Sequence, residues 1–115
     1  MLCLATASAD RTVKLRDLGT GKELVTLKGH KDWVRCVVFS PDGRTLATGS
    51  FDSTVKLWDM AMRQELATLK GHKNWVMAVV FSPDSKILAT GSKDNTVKLW
   101  RAATEEEVRL PVRVN

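Results

Sequence analysis

The chain has 115 residues, 43% of them hydrophobic and 27% charged, the balance of an ordinary globular domain with a modest core. No apolar run approaches the roughly 18 residues of a membrane span, and Met1–Ala9 lacks the basic start of a secretory signal. The 18 basic residues exceed the 13 acidic ones by five, but they are dispersed along the chain. This predicts a solvated surface with a weak preference for acidic partners, and neither a nucleic-acid nor a membrane binder. Cys3 and Cys36 have no metal-ligand spacing. They read as two reduced, buried thiols of a cytoplasmic protein.

Taken in chain order, the elements repeat. Leu4-Ala5-Thr6-Ala7-Ser8-Ala9-Asp10 matches Leu46 to Asp52, so the chain opens in the middle of a copy. Gly29-His30 then precedes a β-branched and aromatic run, Trp33 to Phe39, which stops at the turn Ser40-Pro41-Asp42-Gly43. A second strand, Thr45 to Gly49, leads into the turn Phe51-Asp52-Ser53. A third, Thr54 to Trp58, alternates, with Val55 and Leu57 on one side and Thr54, Lys56 and Trp58 on the other. A fourth runs from Glu65 to Leu69 and meets Gly71-His72, where the pattern restarts. Residues 22–58 and 64–100 share 27 of 37 positions. Four strands in a unit of about 42 residues, joined by tight turns, describe a propeller blade.

The Gly-His loop, the Ser-Pro-Asp-Gly turn and the Trp-Asp ending of Val55-Lys56-Leu57-Trp58-Asp59 resemble WD repeats over essentially residues 1–108. The resemblance implies an all-β fold of four-stranded antiparallel blades set radially, about 2.75 of them here. Blade one would be residues 1–28, lacking its innermost strand; blade two would be 29–70 and blade three 71–115. It also implies a structural tetrad: His30, Ser50, Asp52 and Trp58, repeated as His72, Ser92, Asp94 and Trp100. A relay from Trp58 through Ser50 and His30 to Asp52 would satisfy each polar group, and such a network is worthwhile only when complete.

Serine, histidine and aspartate together invite a catalytic reading. The trio occurs twice at the repeat spacing, each time with a tryptophan, and has neither a nucleophile elbow nor an oxyanion signal. The expectation is therefore no enzyme, no metal and no cofactor. The first copy has Ser8 and Asp10, but Arg16 stands where Trp58 and Trp100 stand, so that blade should be the least stable. The third copy ends Trp100-Arg101, and its last strand, Glu107 to Pro111, has diverged; Glu105-Glu106-Glu107 reads as a solvated cluster.

The resemblance implies protein or peptide partners on the narrow face. The matching positions are Lys31 and Trp33, Lys73 and Trp75, and the residues before each turn aspartate, Ala9, Phe51 and Lys93. Tryptophans beside cations suit acidic or phosphorylated peptides. Fewer than three blades leave apolar inter-blade faces open, where propellers have four to eight blades. Either the chain is part of a longer propeller, or another subunit orders it, or copies close a ring. A dimer would give six blades, with the tail Val112-Arg113-Val114-Asn115 supplying the missing strand of its neighbour.

Overall fold

The computed structural model describes residues 3–101 and the backbone of residues 112–113. Its strands are β1 (Cys3–Ala7), β2 (Thr12–Asp17), β3 (Glu23–Lys28), β4 (Val34–Phe39), β5 (Thr45–Ser50), β6 (Val55–Asp59), β7 (Gln64–Leu69), β8 (Val76–Phe81), β9 (Ile87–Ser92), β10 (Val97–Arg101) and β11 (Val112–Arg113). They form three antiparallel sheets: β1-β2-β3, β4-β5-β6-β7 and β8-β9-β10-β11. No helix occurs among the described residues. Among the described residues the first sheet has three strands and ends at β1. The Glu107–Pro111 segment and the acidic cluster lie outside the described residues. The tail does not reach out to another blade: Arg113 pairs with Trp100 and Val112 with Arg101, so β11 completes its own sheet. That corrects the strand-donation expectation, because the outer edge of β10 is the nearest unpaired ladder a short tail can reach.

Turn geometry repeats with the sequence. Arg11, Ser53 and Asn95 hold φ of 76°, 73° and 71°, at matched points of the three β-turns that follow β1, β5 and β9. The left-handed position is therefore set by the turn and not by a glycine. Bulges recur too, between Val34 and Cys36 and again between Val76 and Ala78. They let the start of each innermost strand turn toward the loops while keeping its core register.

Sheets stack face to face, and the core lies between them. Val13, Leu15 and Leu27 of the first blade meet Val34, Leu46 and Trp58 of the second. Ala47, Val55 and Leu69, from the opposite side of the second blade, meet Val76, Leu88 and Trp100 of the third. The middle blade is thus covered on both sides, which is why β5 is buried almost throughout, without polar-out alternation. Each buried valine or leucine here contributes about 1.5–3 kcal/mol. On the uncovered side of blade three, Val80 and Val97 are 58% and 62% exposed, while Leu4 on the outer side of blade one is 44% exposed. Cys3 and Cys36 are half-buried. Burial pushes the Cys36 thiol up to about 11, against a weak opposing bond to the Gly49 carbonyl.

Candidate functional site

Each complete blade carries a chain of hydrogen bonds that ties its entry loop to two inner strands. Trp58 Nε1 donates to Thr48 Oγ1 at 2.9 Å, and the Thr48 hydroxyl meets His30 Nε2 at 2.7 Å. On the other edge of the ring, His30 Nδ1 lies 2.9 Å from Asp52 Oδ2. Since the indole only donates and the carboxylate only accepts, the proton order follows: indole to hydroxyl, hydroxyl to Nε2, Nδ1–H to carboxylate. The Nδ1–H tautomer is assigned by that network. Asp52 also accepts the amides of Lys31 and Thr54, both at 2.9 Å, and the Thr54 hydroxyl at 2.6 Å. Blade three repeats the set with Trp100, Thr90, His72 and Asp94 at 3.0, 2.8 and 3.2 Å.

The relay therefore passes through Thr48 and Thr90, not through Ser50 and Ser92. The reason is register. Trp58 stands opposite Leu46, so Thr48 is two residues along β5 and Ser50 is four, about 13 Å at strand rise. The indole reaches only the first. Ser50 instead donates to the Trp33 carbonyl at 2.7 Å and accepts the Asp52 amide at 3.0 Å. Ser92 does likewise, toward the Asn74 carbonyl at 3.1 Å and from the Asp94 amide at 3.0 Å. Thr48, Thr90, Thr54 and Thr96 were missed by sequence reasoning. The repeated Thr-Gly-Ser, with Thr on the same strand face as Ser, was the signal present.

Electrostatics favour the charged carboxylates. For Asp52, burial opposes ionisation. The bonds from His30, Thr54 and the two amides outweigh it and hold the carboxyl well below the usual range. Asp94 is held low chiefly by the Thr96 hydroxyl and the Lys73 amide, with further help from the Thr96 amide and His72.

On the loops that precede β4 and β8 and follow β5 and β9, four of the singled-out residues form one column. The Phe51 ring stacks on Trp75, with centroids 3.8 Å apart and planes 11° from parallel. Trp33 stacks on Phe51 at 5.7 Å and 18°. Lys93 Nζ sits 4.4 Å from the Trp75 ring centroid, within the range of a cation–π contact. Two backbone bonds of 2.9 Å set the spacing, from Phe51 N to the Trp33 carbonyl and from Lys93 N to the Trp75 carbonyl. The column spans two blades and stays open to solvent. Lys31 and Lys73 are exposed residues that give their amides to Asp52 and Asp94, and among the described residues the cation over the column's rings is Lys93. Lys31 instead borders a cleft of about 340 Å³ with Lys56 and Lys70. There the Lys56 ammonium is already held by Glu65 at 3.0 Å and Thr68 at 2.8 Å.

The hydroxyl beside each histidine is enclosed: Thr48 and Thr90 are buried beneath the indoles of Trp58 and Trp100. It cannot meet a substrate, and Ser50 makes no bond to His30, so the trio lacks the geometry of acyl transfer. What the site offers is a rigid frame under an exposed aromatic surface.

A protein-family model described as "WD domain, G-beta repeat" matches residues 21–59 and 63–101. Among curated proteins, "Nuclear distribution protein PAC1-2" of Postia placenta is 51% identical over 41 residues, 36% of this chain and 10% of its own length. "Lissencephaly-1 homolog" of Dictyostelium discoideum is 51% identical over 43 residues, 37% of this chain and 10% of its own. "Nuclear distribution protein PAC1" of Coccidioides posadasii is 54% identical over 43 residues, 37% of this chain and 9% of its own. The matched segment spans about a tenth of the length of these relatives.

Proposed function

Because the chain belongs to the WD domain, G-beta repeat family, whose repeats are in general protein–protein interaction scaffolds, we propose that it binds a protein or peptide partner across the column Trp33–Phe51–Trp75–Lys93. The single observation that carries this reading is the column itself. Three aromatic rings and one ammonium are held in register at a solvent-exposed edge by buried networks beneath. Rigid aromatic rings next to donors are what interface hot spots are made of, since they offer large area at little entropy cost. Lys31 and Lys73, exposed two residues before each tryptophan, suit acidic groups of the partner.

A peptide-display selection on the immobilised chain tests it. The expected result is a set of binders that is lost with Phe51→Ala combined with Trp75→Ala. An identical set on both proteins overturns the reading. A cytoplasmic setting belongs to the same proposal, in keeping with Cys36 as a reduced, part-buried thiol.

A second reading, assembly of copies, rests on the open faces. Val97 and Val80 repeat positions 55 and 38 of the covered middle blade, and Leu4 repeats Leu46. The two outer faces are thus matched as neighbouring blades are, and either further blades of a longer protein or a second copy would fit them. Solution mass at increasing concentration separates the two: a constant monomer mass removes the second.

A further inference from the structure

Trp33 has a ring against one face only. Phe51 stacks there, no other ring or cation meets the indole among the described residues, and Trp33 is 54% exposed. Its copy Trp75 has Phe51 at 3.8 Å and Lys93 at 4.4 Å, and is 37% exposed. One residue accounts for the difference. Phe51, the side chain before the turn aspartate of blade two, stacks on Trp33 of its own blade and on Trp75 of the following one. In blade one that position is Ala9, and the neighbouring Ser8 carbonyl accepts the Val34 amide at 3.1 Å, which holds this turn against the start of β4. Alanine leaves open on Trp33 the place that a flat ring takes on Trp75.

The chemistry of an occupant is indicated by the chain's own usage. The place open on Trp33 is filled on Trp75 by a flat ring, Phe51, whereas the ammonium of Lys93 reaches Trp75 from its own blade, as Phe51 reaches Trp33. A guanidinium is both flat and cationic, and stacks on an indole at small desolvation cost. The residue preceding each tryptophan selects further. Asp32 and Asn74 both turn a side-chain oxygen onto the following amide, at 2.7 and 2.8 Å. The neutral amide stands where Lys93 already supplies a cation, and the carboxylate stands where none does. Arg11 and Lys31, on the adjoining loops, oppose an incoming cation, so Asp32 has to outweigh them.

We infer that Trp33 and Asp32 form an arginine-anchor site: a partner's guanidinium stacks on the indole beside Ala9 and donates to the Asp32 carboxylate. The inference rests on the column being a partner surface, and names the chemistry of one anchor on it. It is tested on the full chain by titrating the peptide acetyl-Gly-Arg-Gly-amide and following the four indole N–H signals by NMR. The Trp33 signal is expected to move while those of Trp58 and Trp100 stay. Ala9→Phe copies the packing of Phe51, and with Asp32→Asn each is expected to weaken binding about tenfold; the lysine peptide should bind more weakly than the arginine one. Binding to Ala9→Phe equal to the parent, or equal binding of acetyl-Gly-Lys-Gly-amide, overturns the anchor. If display selection depends on Phe51 yet Ala9→Phe changes nothing, only the anchor falls. If selection ignores Phe51, the broader reading falls.

Discussion

A Cβ placed on Gly49 would stand 2.6 Å from Cγ1 of Val76 and 2.7 Å from the sulfur of Cys36. Gly91, its copy one blade later, would meet nothing within 4 Å. The same pentapeptide, Leu-Ala-Thr-Gly-Ser, is therefore a packing contact in one blade and an open surface in the next. Gly49→Ala should destabilise the chain by about 1–3 kcal/mol through overpacking, whereas Gly91→Ala should stay within about 0.5 kcal/mol. Urea unfolding midpoints compare the two. Equal midpoints would refute the claim that blade three packs on the Gly49 side. Where a further blade covers the outer face, Gly91→Ala becomes costly as well.

The hydroxyl in the relay can be identified by substitution. Thr48→Ala leaves Trp58 Nε1 and His30 Nε2 without their shared partner, at a cost of about 2–4 kcal/mol. Thr48→Ser keeps the hydroxyl and should cost about 1 kcal/mol for the lost methyl. Ser50→Ala, which removes bonds only to loop backbone, should fall between them. Thermal melting of the three variants gives the order; Ser50→Ala as the most damaging would restore the serine to the relay.

Stability should fall in acid, and the sign follows from the carboxylates. Asp52 and Asp94 both have folded-state pKa values lowered below the unfolded one. Their contribution is fully present above the unfolded value of about 3.9 and is lost as pH falls below it toward the lowered folded values. Unfolding free energy from pH 7 to 2 should be flat down to about pH 5 and then drop. Asp52→Asn should flatten part of that drop. A chain equally stable at pH 2.5 and pH 7 would contradict the network.

Cys36 should be a slow thiol. Burial at the second blade's interface with the third raises its pKa to about 11, so little thiolate exists near pH 8. In a Cys3→Ser background, labelling by a disulfide reagent at pH 8 should be at least about tenfold slower in the folded chain than in urea. Equal rates would place the sulfur at the surface.

Arg63 holds φ of 55° where its copy is Gly21 at 75°. Arg63→Gly relieves the crowding of Cβ in the left-handed region, partly offset by the freer unfolded chain, and should stabilise by about 0.5 kcal/mol. A lower melting temperature in this variant would mean that the arginine side chain has a packing role.

How much of this was legible beforehand depends on the distance over which each feature is set. Strand positions and the four-strand unit were readable from the 42-residue spacing, because turn chemistry and β-branched runs act within a few residues. Observed edges such as Val34–Phe39 and Gln64–Leu69 fall within a residue of the runs read from composition. The histidines, aspartates and tryptophans of the network were readable from the family resemblance. Residue type does not distinguish the two hydroxyls, because Thr48 and Ser50 share one strand face and are both polar.

What the sequence by itself determined is the blade: short strands of period two, turns at Ser-Pro-Asp and before each Thr-Val-Lys-Leu, and a polar network needing both loop and strand. Only the tertiary structure decided which hydroxyl joins Trp58 to His30, which glycine is packed, and that Phe51 lies between two tryptophans. Those outcomes depend on pairings across β5 and β6 and on the stacking of one blade upon the next. They join residues 10 to 27 positions apart, and no local preference of the chain sets such distances.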